Sequence, residues 1–158
     1  MSKQSDVVYT PDNIAKYIVR YFKPTGSILD PCSGEGVFLK YLPKHALHCE
    51  ITEGRDFYDF HETIDWIIGN PPYSIFSDFL RHSFKIAENI VYLIPANKPF
   101  NSYRMMKEIQ EWGGIVEIHI IAPGSRLRFP IGFCIAAVHF KRGYKGDTKI
   151  TYMENNNA

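Results

Sequence analysis

Short apolar runs alternate along the chain with segments whose apolar residues recur at helical spacing. The runs lie near residues 27–30, 47–51, 66–68, 89–95, 115–122 and 134–140, and each is bounded by polar residues, glycine or proline. Runs of this length predict buried strands. The segments that follow Tyr9, Tyr73 and Ser102 predict amphipathic helices. This alternation predicts an α/β fold with a mostly parallel sheet, helices on both faces, and a further short strand near 149–153.

The first predicted helix begins at Tyr9-Thr10-Pro11-Asp12. Thr10 suits the N-cap position, Pro11 suits the first helical position, and an acidic residue suits the positive end of the helix. The helix is predicted to end at Lys23-Pro24. It either serves only for packing or presents its capped start to a functional site.

A strand ending at Asp30 leads into a glycine loop, Ser33-Gly34-Glu35-Gly36, and a helix is predicted from about Gly36. Doubly wound folds bind nucleotides at their first such turn. This loop lacks the third glycine of a dinucleotide fingerprint and the ending of a P-loop, and Glu35 would repel a pyrophosphate. An acidic loop suits S-adenosylmethionine (SAM) better, because SAM carries positive amine and sulfonium groups and no phosphate. Gly34 and Gly36 let the backbone approach such a ligand closely.

The predicted second strand, 47–51, contains an acid at the spacing used for ribose recognition. Glu50 lies 20 residues after Asp30, so its carboxylate is a candidate for the hydroxyls of an adenosine. Glu53 is the alternative. Asp56 is a candidate acceptor for the adenine amine and Phe57 a cover for its ring, although Asp56 also suits an ordinary turn cap. The short spacing predicts an abbreviated third strand.

The run Trp66–Ile68 leads into Asn70-Pro71-Pro72-Tyr73. Each proline disfavours the α region for the residue before it and removes a backbone donor. The edge therefore presents the Asn70 side chain and backbone carbonyls. Such acceptors can bind both hydrogens of a planar exocyclic amine, as in adenine, and free its lone pair for attack. Tyr73 offers a ring for stacking of the base. The alternative is a proline-rich turn after a core strand.

Composition limits the remaining possibilities. The chain has 158 residues, of which 45% are hydrophobic and 22% charged, so we expect one globular domain over residues 1–158. We expect a cytoplasmic protein, because no run reaches transmembrane length and the start is polar. Cys32, Cys49 and Cys134 lack zinc-ligand spacing. They are expected to be reduced, buried apolar residues, and no metal site is predicted.

Charge is uneven although the formal net charge is only +1. Residues 1–97 carry −3 and residues 98–158 carry +4. Residues 126–149 contain six basic residues against Asp147 alone, which favours a polyanion as partner. A solvated charged surface is the alternative.

Together these blocks resemble the SAM-dependent DNA N6-adenine methyltransferases with the gamma-class motif order. The matching blocks are Y-T-P-D at 9–12, D-P-C-S-G-E-G-V-F at 30–38, Glu50, D-F at 56–57 and N-P-P-Y at 70–73. The resemblance implies a Rossmann-like class I methyltransferase fold: a seven-stranded, mostly parallel sheet with helices on both faces and a reversed last strand. It implies a SAM site formed by Tyr9, Thr10, Pro11, Asp30, Ser33, Gly34, Gly36, Phe38, Glu50, Asp56 and Phe57. The implied catalytic residues are Asn70, Pro71, Pro72 and Tyr73.

The resemblance also implies DNA as the partner. Tyr73, Arg126, Arg128 and Phe129 are the candidates for contact with it, Phe129 as a second aromatic for the flipped base. Family members usually carry a separate target-recognition domain, for which this chain leaves no room. Specificity is therefore expected from loops, a partner chain or a homo-oligomer. The alternatives are methyl transfer to RNA adenine or to a protein glutamine amide, or an inactive SAM- or DNA-binding module.

Overall fold

The computed structural model describes residues 9–127 and 132–154, which form a seven-stranded sheet flanked by helices. The strands are β1 (Ile28–Asp30), β2 (Leu47–His48), β3 (Ile64–Gly69), β4 (Ala87–Pro95), β5 (Gly113–Pro123), β6 (Cys134–Arg142) and β7 (Lys149–Tyr152). The α-helices are α1 (Asp12–Phe22), α2 (Phe76–Ile86) and α3 (Tyr103–Trp112). The strand order across the sheet is β2-β1-β3-β4-β6-β5-β7. The predicted α/β architecture is confirmed.

Helices cover both faces of the sheet, as predicted. On one face α1 packs its buried residues, such as Ile14 and Ile18, into a cluster with Ile68 and Val91 of the central strands. On the other face α2 and α3 contribute Leu80 and Met105, among others, to a second cluster. Strand β4 lies between the two clusters and is almost wholly buried. Its Asn-Ile-Val-Tyr-Leu-Ile run is apolar because both of its faces meet helices.

The reversed strand is β6, which runs antiparallel to both β4 and β5. The resemblance implies that the last strand is reversed, whereas here the reversed strand is the sixth of the seven described strands. The short β7 follows β6 and pairs parallel with β5 along the outer edge of the sheet. Gly143 has a left-handed φ of 69° in the turn that separates β6 from β7, and this turn gives the chain room to return.

The sheet is abbreviated beside β2, as the short Glu50–Asp56 spacing predicts. Two single-turn 3₁₀ helices, Ile51–Glu53 and Phe57–Asp59, connect β2 to β3 in place of a helix and a strand. The helix predicted from Gly36 is wrong. Gly36 has a left-handed φ of 79°, and residues 35–42 form successive turns that place Phe38 and Leu42 in the core.

The start of α1 differs from the prediction by one residue. Pro11 is the N-cap, and its carbonyl accepts from the amides of Ile14 and Ala15, each at 3.1 Å. The Thr10 hydroxyl makes no cap bond and accepts instead from the Asn70 side chain at 3.1 Å.

The prediction that all three cysteines are buried is wrong for Cys134, which is exposed at the start of β6.

Gly69 closes β3 where only a glycine fits. A Cβ at this position would lie 2.8 Å from Asp30 Oδ1 and 3.1 Å from Pro31 Cδ. Because both neighbours are held at the end of buried β1, we expect Gly69→Ala to lower the free energy of unfolding by about 1–3 kcal/mol, the range for overpacking. Chemical denaturation measures this change.

Gly132→Ala is the matched control, since a Cβ there meets nothing within 4 Å. It should leave stability nearly unchanged. Equal losses of stability in the two variants would show that the short distance from Asp30 does not restrict the side chain at position 69.

None of the helices within residues 9–127 and 132–154 combines the length and the apolar content needed to cross a bilayer.

Candidate functional site

One cavity of about 740 Å³ opens where β2, β1 and β3 end. The lining residues follow the carboxyl ends of these strands, with the start of α1 at one side. Ligands of open α/β sheets bind at this edge, where the strand order reverses. The predicted site residues that line it are Tyr9, Thr10, Ser33, Gly34, Phe38, Glu50, Asp56, Phe57, Asn70, Pro71, Pro72 and Tyr73.

Glu50 is tied to the glycine loop. Its Oε2 accepts from the Gly34 amide at 2.7 Å, and its Oε1 accepts from the amide and hydroxyl of Thr52 at 3.1 and 2.9 Å. Burial alone would raise the pKa of Glu50, but these hydrogen bonds outweigh it and lower the pKa below the ordinary value. A fixed, ionised carboxylate therefore stands in the cavity wall. Gly34 takes a left-handed φ of 52° beside it, a conformation that suits glycine.

The choice between Glu50 and Glu53 follows from their positions. Glu53 pairs with His48 at 3.1 Å and does not line the cavity. Glu50 lines the cavity at the carboxyl end of β2. Of the two acids, Glu50 is the one that lines this cavity.

Asp30 is buried beneath the glycine loop rather than lining the cavity. Its Oδ1 accepts from the Cys32 amide at 3.2 Å, whereas its Oδ2 has no hydrogen-bond partner among the described residues. Burial raises the pKa of Asp30 to about 7, and the nearby Glu50 charge adds to this effect. Asp30 thus holds an acceptor oxygen without a donor directly below the loop.

The Asn70 amide is oriented by the residue before α1. Its Nδ2 donates to the Thr10 hydroxyl at 3.1 Å across 60 residues of sequence. The Cys32 thiol donates to the Asn70 backbone carbonyl at 3.1 Å. Burial is the main cause that raises the pKa of the Cys32 thiol far above its usual range. The thiol therefore stays protonated and remains a hydrogen-bond donor. The glycine loop and the start of the first helix therefore both hold the Asn-Pro-Pro-Tyr edge.

The aromatic residues of the site are mostly inside the core. Tyr73 is 7% exposed and Phe57 3%, so each offers only part of its ring to the cavity. Phe57 packs against Phe79, with ring centroids 4.8 Å apart. Asp56 Oδ1 accepts from the Tyr58 amide at 2.9 Å and caps a 3₁₀ helix. The turn-cap interpretation of Asp56 is therefore correct for this structure, although the residue also lines the cavity.

Some predicted residues lie elsewhere. Pro11, Asp30, Gly36 and Arg126 do not line the cavity, and Arg126 lies in the 3₁₀ helix after β5 instead. Arg128 and Phe129 fall outside the described residues.

The basic segment after β6 does not reach the site. Lys141 pairs with Asn89 near the start of β4, at the opposite edge of the sheet. Arg142 bonds the carbonyls of Phe84 and Ala87, and Lys145 bonds that of Gly113. Arg142 and Lys145 thus stabilise the ends of α2, α3 and the neighbouring strands, and contact of residues 141–149 with a polyanion stays a prediction.

Sequence reasoning missed several lining residues. Ile51 is 73% exposed directly after Glu50 and lines the cavity, and an exposed branched apolar residue beside an acid is the signal that could have indicated a binding surface. Asp12 lines the cavity and pairs with Lys40 at 3.2 Å. Arg55, Tyr58, Ile75 and Phe79 complete that wall. Their signal is weak, because Arg55, Tyr58 and Ile75 lie in turns and 3₁₀ helices without regular spacing and the position of Phe79 is typical of a core residue of α2.

In the part of the chain that the structure describes, no three metal-ligating side chains lie close enough together to hold an ion.

No model of a known protein family matches the chain, and no curated protein matches it. Several solved structures have a fold similar to that of this chain. A Listeria monocytogenes protein assigned to the class I SAM-dependent methyltransferases matches with a TM-score of 0.74 and 14% identity, over 96% of this chain and 68% of that one. A protein assigned as a modification subunit of a type I restriction enzyme from Vibrio vulnificus YJ016 matches with a TM-score of 0.64 and 15% identity, over 98% and 49%. The 23S rRNA methyltransferase ErmE matches with 0.63 and 17%, over 87% and 72%.

These similarities define the fold: the chain has the Rossmann-like fold of class I SAM-dependent methyltransferases. It spans about half the length of the modification subunit that it matches.

Proposed function

We propose that this protein is a methyltransferase that moves the methyl group of SAM to the N6 amine of adenine in DNA. The observation that carries the proposal is the geometry of Asn70, whose amide is oriented by Thr10 and whose edge lines the same cavity as Glu50 and the glycine loop. One cavity thus combines a place for an adenosine-type cofactor with acceptors for a planar amine.

The residues present fit SAM. Glu50 is an ionised acceptor suited to two ribose hydroxyls. The exposed Glu35 lines the cavity and makes the loop region acidic, which suits a cationic amino acid moiety and opposes phosphates. Phe38, Ile51 and Phe57 supply apolar surface for the adenine ring. SAM supplies an electrophilic methyl group on a sulfonium.

The chain's own chemistry is hydrogen-bond acceptance. Nδ2 of Asn70 donates to the Thr10 hydroxyl, and we assign the acceptor Oδ1 of the same amide to one hydrogen of the target amine. The Asn70 backbone carbonyl already accepts from Cys32. We therefore assign the second hydrogen to the Pro71 carbonyl, which has no competing backbone donor beside it at Pro72. Both bonds strengthen as positive charge grows on the nitrogen.

Tyr73 completes the proposed target site. The adenine has to leave the duplex stack to enter the cavity, which costs a few kcal/mol, and the accessible part of the Tyr73 ring offers a stacking surface. Arg128 and Phe129 remain candidates for contacts with DNA. A partner chain or a second copy is proposed as the source of sequence specificity.

Labelled methyl transfer tests the proposal. Protein is incubated with methyl-labelled SAM and separate pools of DNA, RNA and protein, and the products are hydrolysed to nucleosides and amino acids. Label in N6-methyldeoxyadenosine is the expected result. Label only in RNA adenine or in glutamine would assign the same site to another amine, and no label in any pool would contradict an active enzyme.

Replacement of Glu50 tests the cofactor site. Glu50→Ala removes the proposed ribose acceptor and the bond that holds Gly34, so we expect the affinity for SAM to fall by about 1–3 kcal/mol. Titration calorimetry measures it. Wild-type protein should bind SAM and S-adenosylhomocysteine and should not bind NAD.

Glu53→Ala is the control, since Glu53 lies three residues away and outside the cavity. It should keep wild-type affinity. Unchanged affinity in Glu50→Ala, or tighter binding of NAD than of SAM, would remove the basis for the cofactor assignment.

A further inference from the structure

A basic and aromatic surface follows β4 and continues into the first turns of α3. It comprises residues 97–107, which we call the β4–α3 surface. The chain contains no acidic residue between Glu88 and Glu108. Within the surface Tyr103 is 83% exposed and Phe100 46%, and exposed Lys107 and partly exposed Lys98 lie beside them.

This surface lies at the same edge of the sheet as the cavity. Gly69, which ends β3, is paired in register with Tyr92 of the parallel β4. Strand β4 continues to Pro95, so residues 97–107 begin just beyond the level of Asn70. On its buried side α3 contributes Met105 to the core cluster that also contains Tyr73 and Phe76. The opposite, exposed side of the same helix carries Tyr103 and Lys107.

Only part of the positive charge is neutralised by the protein. Arg104 donates to Glu108 at 2.9 Å, and Glu108 also accepts from Arg81. No described acidic side chain forms an ion pair with Lys98 or Lys107. An exposed tyrosine and phenylalanine between two such lysines combine stacking faces with phosphate-binding cations, which is the composition of surfaces that bind unpaired nucleic acid strands.

We propose that the β4–α3 surface binds the DNA strand next to the target adenine, with Tyr103 and Phe100 stacking on unpaired bases and Lys98 and Lys107 contacting phosphates. This inference rests on the proposed function and names a surface that holds the substrate strand outside the cavity. Stacking on either side of an extruded base keeps the opened strand from closing.

Fluorescence anisotropy with labelled DNA oligonucleotides tests it. Tyr103→Ala should weaken binding between about 5-fold and about 150-fold, the range for removing the platform of one stacked base. The double variant Lys98→Ala/Lys107→Ala should flatten the dependence of log K on log salt by roughly one unit for each phosphate that is no longer bound.

Tyr152→Ala and Lys85→Ala are the matched controls. Tyr152 is exposed on the edge strand β7, and Lys85 is exposed at the end of α2 away from the cavity. Both should bind DNA like the wild type. Equal weakening by the controls, or wild-type affinity and salt slope in the surface variants, would overturn the inference.

Calorimetry with SAM separates this inference from the proposed function. The surface variants should bind SAM like the wild type. Failure of the wild type to bind SAM contradicts the proposed function. Intact SAM binding together with unchanged DNA binding in the surface variants contradicts only this inference. A dependence on the surface that is seen with RNA oligonucleotides and not with DNA contradicts this inference and also speaks against DNA as the substrate of the proposed function.

Discussion

Asn70→Ala should lower the rate of methyl transfer to adenine on the order of a hundredfold or more while the affinity for SAM stays nearly unchanged. In the proposed mechanism the Asn70 oxygen binds the amine most strongly when positive charge develops on the nitrogen, so its removal raises the free energy of the transition state more than that of the ground state. Single-turnover methyl transfer measures the rate, and calorimetry measures the affinity. A folded Asn70→Ala variant with wild-type methyl transfer would refute the mechanism.

Thr10 provides a control for orientation. Thr10→Val removes the hydroxyl that accepts from Asn70 and should lower the rate by less than Asn70→Ala does, whereas Thr10→Ser should keep it. Asn13→Ala, on the exposed side of α1, should change nothing. If Asn70 only shaped a turn, activity would instead fall in proportion to thermal stability.

Asp30→Asn should stabilise the cofactor-free protein at pH 8 and change it little at pH 4. Burial raises the pKa of Asp30 from 3.8 to about 7. The protonated form is thus favoured by folding, and its contribution to stability is complete below about pH 4 and lost as the pH rises through 7. Each pKa unit corresponds to about 1.4 kcal/mol, so the buried charge costs on the order of 4 kcal/mol at pH 8.

Chemical denaturation from pH 4 to pH 8 measures this difference. Asp59→Asn, an exposed acid-to-amide change in the nearby 3₁₀ helix, is the control and should follow the wild type at every pH. A stability difference between Asp30→Asn and the wild type that does not grow with pH would show that Asp30 is not a buried acid with a raised pKa.

Most strands and the helices α1–α3 could be predicted because their signals are local. Ser102 caps α3, with its hydroxyl accepting from the Met105 amide at 3.3 Å, and α3 is the helix that the sequence predicts after Ser102. The prediction fails where tertiary contact decides. Thr10 is a good cap by type, yet its hydroxyl bonds Asn70, a residue that no local pattern connects to it.

The candidate site divides in the same way. The sequence indicates three of the candidate residues because each has a local signal. Glu50 lies in a predicted strand at a fixed spacing from Asp30, Gly34 lies in the glycine loop, and Asn70 precedes two prolines. Asp30 is predicted to line the SAM site, but its carboxylate is buried in the space that the missing side chain of Gly69 leaves. Arg142 and Lys145 count as basic residues in the sequence, and only the fold reveals that they bond backbone carbonyls at the far edge.

The abbreviated edge beside β2 has a consequence for how the molecule moves. Residues 51–55 are all exposed and are held mainly by single turns and by the two-residue strand before them, whereas β3 and β4 lie deep in the sheet. Local opening free energies follow such differences in burial. This wall can therefore fluctuate while the sheet stays folded, and a ligand that contacts it has to order it. For the proposed methyltransferase, ordering of this wall would use part of the intrinsic binding free energy of SAM, and release of the product would be coupled to loss of that order.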